Sequence, residues 1–186
     1  MHSRYKIPEC FCLEYHVNGA KDMSYNIRQA ADKDKNDLAD IFNHYIKKSH
    51  AAFFDKKVKP DFFKKLQDIV YGNSFYVIED KKSRQVIGFG LLKQYHPSEV
   101  FSGVAELGYF LKPEFTRRGL GTLMLNTLIS DAQKMKIKTL LASISSLNEE
   151  SILFHKKNGF FECGRFGSIG EKHGKSFDVV WMQKFI

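Results

Sequence analysis

The stretch Arg117-Arg118-Gly119-Leu120-Gly121-Thr122 lies where an extended segment gives way to a helix. Before it, apolar residues alternate over 107–111 as they do in a strand, and Pro113 ends that strand. After it, apolar residues recur at steps of three and four, as on one face of a helix: Met124, Leu128, Ala132 and Met135. The two glycines therefore mark a strand-to-helix turn.

Such a turn is suited to binding a phosphate, because the first helical N–H groups are unpaired and glycine allows close approach. A P-loop would need a lysine after Gly121, and a dinucleotide fingerprint would need a third glycine where Met124 stands. The pattern that remains is Arg/Gln-x-x-Gly-x-Gly/Ala, with Thr116 at its first position and Arg117 where arginine is frequent. The alternative is a plain glycine-rich turn with two solvated arginines.

The composition predicts one soluble domain. The 186 residues are enough to bury a core, and a hydrophobic content of 43% is ordinary for a globular protein. No apolar run approaches the ~20 residues of a membrane span, and residues 1–15 lack a signal-peptide stretch, so we expect a cytoplasmic location and no membrane association. Cys10, Cys12 and Cys163 form no zinc set with the seven histidines, which predicts free thiols and no metal.

The net charge of +8 raises the possibility of nucleic-acid binding. The lysines are dispersed in pairs, however, and no known nucleic-acid-binding signature accompanies them: Lys47-Lys48, Lys56-Lys57, Lys64-Lys65, Lys81-Lys82 and Lys156-Lys157. A solvated lysine-rich surface with a modest attraction for polyanions is the interpretation we favour, without a specific nucleic-acid partner.

The periodicities predict an α/β fold with a mixed sheet. Residues 1–24 have no clean period and are expected to form an N-terminal extension before a domain at 25–186. Turn and cap residues then divide the domain into the following elements: strand 25–30, helix from Asp32 or Asp34, loop 51–58, helix from Pro60 to Gly72-Asn73, hairpin 75–79 and 86–95, strand 104–111, helix, strand 139–145, helix from Asn148 to Asn158-Gly159, and strands 160–165 and 177–185 around a glycine-rich loop.

The segment 148–160 reads Asn-Glu-Glu-Ser-Ile-Leu-Phe-His-Lys-Lys-Asn-Gly-Phe. Together with the turn at 117–122, it resembles the GNAT superfamily of N-acetyltransferases over residues 25–186. The resemblance implies a mixed, mostly antiparallel central sheet with helices packed on both faces, and acetyl-CoA as cosubstrate. It places coenzyme contacts on the following residues: Tyr109, Phe110, Leu111, Arg117, Arg118, Gly119, Leu120, Gly121, Thr122 and Asn148.

Glu106, on the strand that leads into the glycine turn, is the candidate general base. Acyl transfer requires a neutral amine, whereas a lysine-like amine has a pKa of ~10 and an α-amino group of ~8. A carboxylate in a cleft can accept that proton, directly or through a water. Strand parity puts Glu106 on the same face as Gly108, with Leu107 and Tyr109 on the other. A solvent-facing or salt-bridged glutamate is the alternative.

His155 occupies the position at which most of the superfamily carries a tyrosine thought to protonate the leaving thiolate. A histidine near its ordinary pKa of ~6.5 could supply that proton, and packing against the sheet would explain it equally well. Asn148 has two interpretations as well, since its side chain could cap the helix or bind the pantetheine arm.

Within the superfamily the chain is most similar to phosphinothricin acetyltransferases, which acetylate phosphinothricin or methionine sulfone and sulfoximine. This similarity rests on four stretches: Ile27-Arg28-Gln29-Ala30, Ile41–Ile46, His155, and Lys172-His173-Gly174 with Asp178-Val179. It implies a small amine or amino acid as acceptor, bound near Lys172, His173 and Phe54, with Phe53 as a further candidate. Three neighbours depart from the family pattern and leave the acceptor open: Glu171, Ser176 and Phe177.

Three other functions are kept as alternatives. Related folds acetylate protein N-termini, and an open acidic groove would favour such a peptide substrate over a small anionic one. A coenzyme-A-binding module without catalysis is the second, and the titratable Glu106 and His155 argue against it. A non-specific nucleic-acid binder rests on net charge alone. The oligomeric state is open, with a homodimer as one option.

Overall fold

The computed structural model describes residues 24–186, so the extension expected over 1–24 lies outside the described residues except for Ser24. This part of the chain forms seven strands and four α-helices, together with short 3-10 turns. Their bounds are β1 Tyr25–Gln29, α1 Lys35–Lys48, α2 Phe62–Ile69, β2 Val70–Asp80, β3 Val86–Gln94, β4 Val104–Leu111, α3 Leu120–Lys134, β5 Thr139–Ser145, α4 Glu149–Lys157, β6 Phe161–Lys172 and β7 Lys175–Phe185.

The seven strands form one sheet in the order β1-β2-β3-β4-β5-β7-β6. All neighbouring pairs are antiparallel except β4 and β5, which run parallel over three residue pairs only. The last of these pairs joins Glu106 to Leu141, while β4 continues to Leu111 and β5 to Ser145. The sheet therefore opens between these two strands, and the prediction of a mixed, mostly antiparallel sheet is confirmed.

Helices cover both faces of the sheet, as predicted. On one face α3 buries Met124, Leu125 and Leu128 against residues of the central strands, including Leu107 and Leu140. On the other face α1 and α2 pack against the opposite side of β2 and β3, with these buried residues: Leu38, Ile41, Phe42, Ile46, Phe62, Phe63, Leu66, Val77 and Phe89. The alternation of apolar residues to both faces explains why β3 is almost continuously apolar.

Asp34 directly precedes α1, as one of the two predicted cap residues, but its side chain does not cap the helix. Asp32–Asp34 forms a 3-10 turn, and the Asp34 side chain points back toward β1. Its carboxylate accepts the Ala31 amide hydrogen at 2.8 Å and two hydrogen bonds from Arg28, each 2.8 Å long. Arg28 also contacts Glu79 at 2.9 Å, so this charge network joins β1, β2 and the start of α1.

Two predicted boundaries are wrong. The helix expected to end at Gly72-Asn73 ends at Ile69, and both residues lie in β2, where Gly72 adopts a φ of +62° at an irregularity in the pairing with β3. Most of the predicted loop between the last strands belongs to the long strand β6, and residues 175–176 belong to β7. The actual turn is His173-Gly174, whose φ angles of 53° and 71° resemble the two-residue hairpin turn with both central residues left-handed. The glycines of β6 interrupt its alternation of apolar and polar residues, so the sequence pattern did not indicate a strand there.

Candidate active site

The opening between β4 and β5 begins at Glu106, and residues from both faces of the sheet lie next to it. Glu106 and Phe110 face the α1–α2 side, whereas Leu107 and Tyr109 pack against the α3 side. Since no β5 residue in the described chain pairs with β4 beyond Glu106, the backbone of 109–111 borders this opening. The gap between β4 and β5 therefore begins directly beside Glu106.

The glycine turn lies on the α3 side of this opening. Gly119 precedes α3 with a left-handed φ of 79°, and no side chain caps the helix. The first intrahelical bond runs from the Leu123 amide to the Gly119 carbonyl at 3.0 Å, so the amides of 120–122 have no acceptor within the helix. These amides and the positive end of the 15-residue helix can bind an anion.

The two arginines of the turn are held by surface contacts. Arg117, whose φ is 60°, forms an exposed ion pair with Glu150 of α4, with 2.5 Å between Nη2 and Oε1. The Arg118 guanidinium lies over the Phe115 ring, 5.1 Å from its centroid. Both side chains remain at the surface near the free amides; Arg118 adds positive charge to the turn, whereas the charge of Arg117 is offset by Glu150.

Glu106 has two polar partners that the sequence did not reveal. Its Oε1 accepts a hydrogen bond from Ser143 Oγ at 2.8 Å and lies 2.9 Å from Lys93 Nζ. Lys93 is directly opposite Glu106 in the β3–β4 register, and Ser143 is on β5. The sequence shows Lys93 only as the first charged residue after the apolar run of β3, and its contact with Glu106 depends on the register of the two strands. Glu106 is thus both anchored and accessible, with a side chain 17% exposed.

A cleft of about 700 Å³ opens above Glu106 on the α1–α2 side. Its lining is mainly apolar and aromatic, and lysines surround it. The aromatic residues are Phe42, Phe53, Phe54, Phe62, Phe89 and Phe110, and the charged residues are Lys56, Lys57, Lys59, Asp61, Lys65, Lys93 and Glu106. Such a size and lining are typical of sites for small organic ligands, which occupy ~300–1,000 Å³.

His155 is buried behind Tyr109 and does not line the cleft. Its Nδ1 lies 2.7 Å from the Ser151 carbonyl, which can only accept, so Nδ1 carries the hydrogen. Nε2 therefore accepts the Tyr109 hydroxyl at 2.8 Å. Burial lowers the pKa of His155 and raises the pKa of Tyr109, so both are neutral at pH 7. In this tautomer the predicted acid role of His155 would require a proton to pass from Tyr109 first.

Asn148 caps α4, as one of its two interpretations predicts. Its side-chain oxygen accepts the Ser151 amide hydrogen at 3.3 Å. The start of α4 also approaches the start of α3, because a Cβ added at Gly121 would lie 3.3 Å from the Phe154 ring. The missing side chain at 121 thus allows the two helices to pack closely next to the opening.

The predicted acceptor residues occupy different positions. Phe54 lines the cleft, with its ring 5.3 Å from that of Phe42. Lys172 is buried instead, and its Nζ donates to the Ala52 carbonyl at 2.7 Å and approaches that of Tyr45 at 3.5 Å. Burial lowers the pKa of Lys172. Lys172 therefore holds the α1–α2 loop from behind and does not contribute a group to the cleft surface.

His173 also contacts the α1–α2 loop. Its ring lies 5.7 Å from that of His50, and Phe53 stacks on Phe177 of β7 at 5.8 Å. The β6–β7 turn and the loop that carries Phe53 and Phe54 are consequently packed as one unit along one wall of the cleft.

Within residues 24–186, no group of three or more histidine, cysteine, aspartate or glutamate side chains could hold a metal ion. None of the helices described is both long enough and apolar enough to cross a bilayer. Cys163 is a free, exposed thiol on β6.

Comparison with known proteins gives a consistent result. The family model described as acetyltransferase (GNAT) domain matches residues 25–161. The chain is 23% identical over 163 residues to the phosphinothricin N-acetyltransferase of Streptomyces coelicolor, covering 85% of this chain and 94% of that protein. It is 30% identical over 99 residues to the L-methionine sulfoximine/L-methionine sulfone acetyltransferase of Pseudomonas aeruginosa, covering 53% and 58% of the two chains.

A similar fold has been solved by crystallography. The GNAT superfamily phosphinothricin acetyltransferase of Sinorhizobium meliloti, solved in complex with AcCoA, superposes with a TM-score of 0.81 at 21% identity, over 88% of this chain and 89% of that one. At this identity the likeness concerns the fold.

Proposed function

This chain belongs to the GNAT family of acetyltransferases, and from that premise we propose that it transfers the acetyl group of acetyl-CoA to the amine of a small amino acid or analogue, such as phosphinothricin or methionine sulfone. The observation that carries the proposal is the position of Glu106, which lies at the opening of the sheet with its carboxylate in a cleft lined mainly by apolar and aromatic residues. GNAT acetyltransferases use acetyl-CoA.

The residues of the α3 side fit the phosphates of acetyl-CoA. The free amides of 120–122 and the Arg118 guanidinium give the turn positive charge that suits a pyrophosphate, whereas the charge of Arg117 is offset by Glu150. On the edge that does not pair with β3, the backbone of 109–111 borders the opening and can contact an extended arm, although the Leu111 carbonyl already accepts the Tyr45 hydroxyl. Acetyl-CoA contributes the thioester that is broken in the reaction.

On the α1–α2 side, the acceptor amine approaches Glu106. The carboxylate takes a proton from the ammonium, which makes the nitrogen lone pair available. That lone pair forms the new C–N bond to the acetyl carbon, while the electron pair of the C–S bond departs with sulfur as a thiolate. The second proton of the nitrogen passes through water to the thiolate, which leaves a neutral amide and a free thiol, and Glu106 returns its proton to water. The position of Ser143 and Lys93 on one carboxylate oxygen fixes the orientation of Glu106 and leaves Oε2 for the amine.

The charge around the cleft favours an anionic acceptor over a peptide bound in an open acidic groove. Lys56, Lys57, Lys59 and Lys65 outnumber the single aspartate at the rim, Asp61. Their field attracts molecules that carry a carboxylate or phosphinate and repels polyamines.

The test is a thiol-release assay with acetyl-CoA, methionine sulfone and spermidine. We expect methionine sulfone to be acetylated with the higher kcat/KM, and we expect Glu106→Gln to remove most of that turnover. A clear preference for spermidine would refute the amino-acid acceptor, and an absence of amine-dependent thiol release with every acceptor would refute the transferase activity.

A further inference from the structure

The floor of the cleft is built from three cross-strand pairs of β3 and β4. In register these pairs are Lys93 with Glu106, Leu91 with Gly108, and Phe89 with Phe110. Alternate residues on a strand share a face and lie ~6.6 Å apart, so the three pairs form successive rows along the floor. The floor thus changes over ~13 Å from an ion pair, through a glycine, to two aromatic rings.

The first row is complementary to a zwitterion. Lys93 Nζ and Glu106 Oε1 lie 2.9 Å apart, and both side chains line the cleft with part of their surface exposed. An α-amino acid carries its ammonium and carboxylate on one carbon, so it presents both charges at a similar spacing. Lys93 has three N–H donors, so it can keep Oε1 of Glu106 and also contact the ligand carboxylate, while Oε2 of Glu106 receives the ammonium; binding thus adds two charge-assisted contacts.

The second row leaves room for a flat group. A Cβ built at Gly108 meets no atom within 4 Å, although the residue lies in the central strand of the sheet. Glycine in the interior of a strand weakens it and often marks close approach of a ligand. Gly108 lies between the ion pair and the two rings, so the space left by its missing side chain is part of the cleft.

The third row and the wall above it are aromatic. Phe110 contacts Phe89 with ring centroids 5.5 Å apart and meets Phe42 edge-to-face at 5.0 Å. Phe54, 46% exposed, extends this surface from the α1–α2 loop. Aromatic rings pair favourably in offset or edge-to-face arrangements at 4.5–7 Å, so this end of the cleft suits another ring.

We propose that the acceptor is an aromatic α-amino acid, with its ammonium at Glu106, its carboxylate at Lys93, and its ring over Gly108 against Phe110 and Phe54. Gly108 and Lys93 are then the residues that determine specificity. The proposal rests on the acetyltransferase function proposed above and changes its preferred acceptor from a small polar amino acid to an aromatic one. A small polar amino acid such as methionine sulfone would contact the Lys93–Glu106 row only. It would leave the space above Gly108 empty and the aromatic third row without a contact.

The first experiment compares acceptors on the unmodified protein. L-phenylalanine and L-tryptophan should be acetylated with kcat/KM at least tenfold above methionine sulfone, and phenethylamine, which lacks the carboxylate, should be at least tenfold poorer than phenylalanine. Equal or better turnover of methionine sulfone would overturn the aromatic acceptor while the transferase function stands. Failure of all amines to release thiol would instead overturn the function on which the proposal rests.

The second experiment fills the space above Gly108. Gly108→Val should lower kcat/KM for phenylalanine roughly 10- to 100-fold while leaving L-alanine turnover and coenzyme A affinity within about threefold. Gly164→Val is the matched control, because Gly164 is a strand glycine with open space around it on the exposed β6. Equal losses for phenylalanine and alanine, or a loss of coenzyme A binding, would show that Gly108 does not select the acceptor.

The third experiment isolates the carboxylate contact. Lys93→Met should reduce the ratio of phenylalanine to phenethylamine turnover by roughly 10- to 100-fold, the value of a hydrogen bond to a charged group. Any effect of the variant on Glu106 would change the turnover of both substrates alike, so it cancels in the ratio of phenylalanine to phenethylamine turnover. An unchanged ratio would exclude Lys93 as the carboxylate partner. Thermal unfolding of each variant, with Gly108→Ala as a smaller substitution, separates misfolding from altered specificity.

Discussion

Gly119 offers the sharpest test of the phosphate turn, because its backbone conformation and its proposed function depend on each other. Its φ of 79° lies in the left-handed region, and α3 begins immediately after it. Valine is strongly disfavoured in that region because of its β-branched side chain, whereas asparagine adopts it far more readily. Gly119→Val should therefore force the turn into a different conformation, and Gly119→Asn should largely preserve it.

The expected effects follow from the same geometry. Left-handed backbone at a non-glycine residue costs ~1–2 kcal/mol, which corresponds to a decrease in Tm of roughly 2–8 °C for a chain of this size. If the altered turn loses one amide contact to a phosphate, coenzyme A affinity falls by roughly 10- to 100-fold, since a hydrogen bond to a charged group contributes ~1.5–3 kcal/mol.

Isothermal titration with coenzyme A measures the affinity, and differential scanning calorimetry measures Tm. The comparison that matters is valine against asparagine at the same position. We expect Gly119→Asn to retain affinity within a few-fold and Gly119→Val to lose it, with both proteins folded at the titration temperature. Wild-type affinity in folded Gly119→Val would refute the assignment of this turn to the pyrophosphate.

Three further predictions concern the rest of the site. Glu106→Gln should lower kcat roughly 10²–10⁴-fold, measured by thiol release, with unchanged coenzyme A affinity in titration. Lys172→Met should loosen the α1–α2 loop and raise the acceptor KM several-fold without changing coenzyme A affinity, whereas the exposed Lys175→Met should change neither. Since burial lowers the pKa of His155, the unfolded state takes up a proton below pH ~6.5 that the folded state resists, so stability falls as pH drops. Calorimetry from pH 8 to 5.5 should show a smaller decrease in Tm for His155→Gln.

The sequence predicted those features that depend on neighbouring residues. The bounds of β4 and β5 agree with the prediction, because alternation and flanking turn residues are local signals. The helix cap at Asn148 is of the same kind, since it depends on an amide three residues away. The shared face of Glu106 and Gly108 follows from the period of a strand alone.

Features that depend on register between distant segments could not be predicted. Lys93 and Ser143 reach Glu106 only because β3 and β5 flank β4 with one particular pairing. The family resemblance placed Lys172 at the acceptor, but the β6–β7 hairpin folds it against a carbonyl 120 residues earlier in the chain. No periodicity within either segment contains that information.

The divergence of β4 from β5 has a consequence for how this protein changes over evolution. The proposed donor contacts are mostly main-chain amides on one side of the gap, and they persist when side chains are exchanged. The proposed acceptor contacts are side chains of β3, β4 and the α1–α2 loop on the other side. Mutations can therefore retune the acceptor while the donor is retained, which makes positions 93, 108 and 54 the natural targets for redesigning this enzyme.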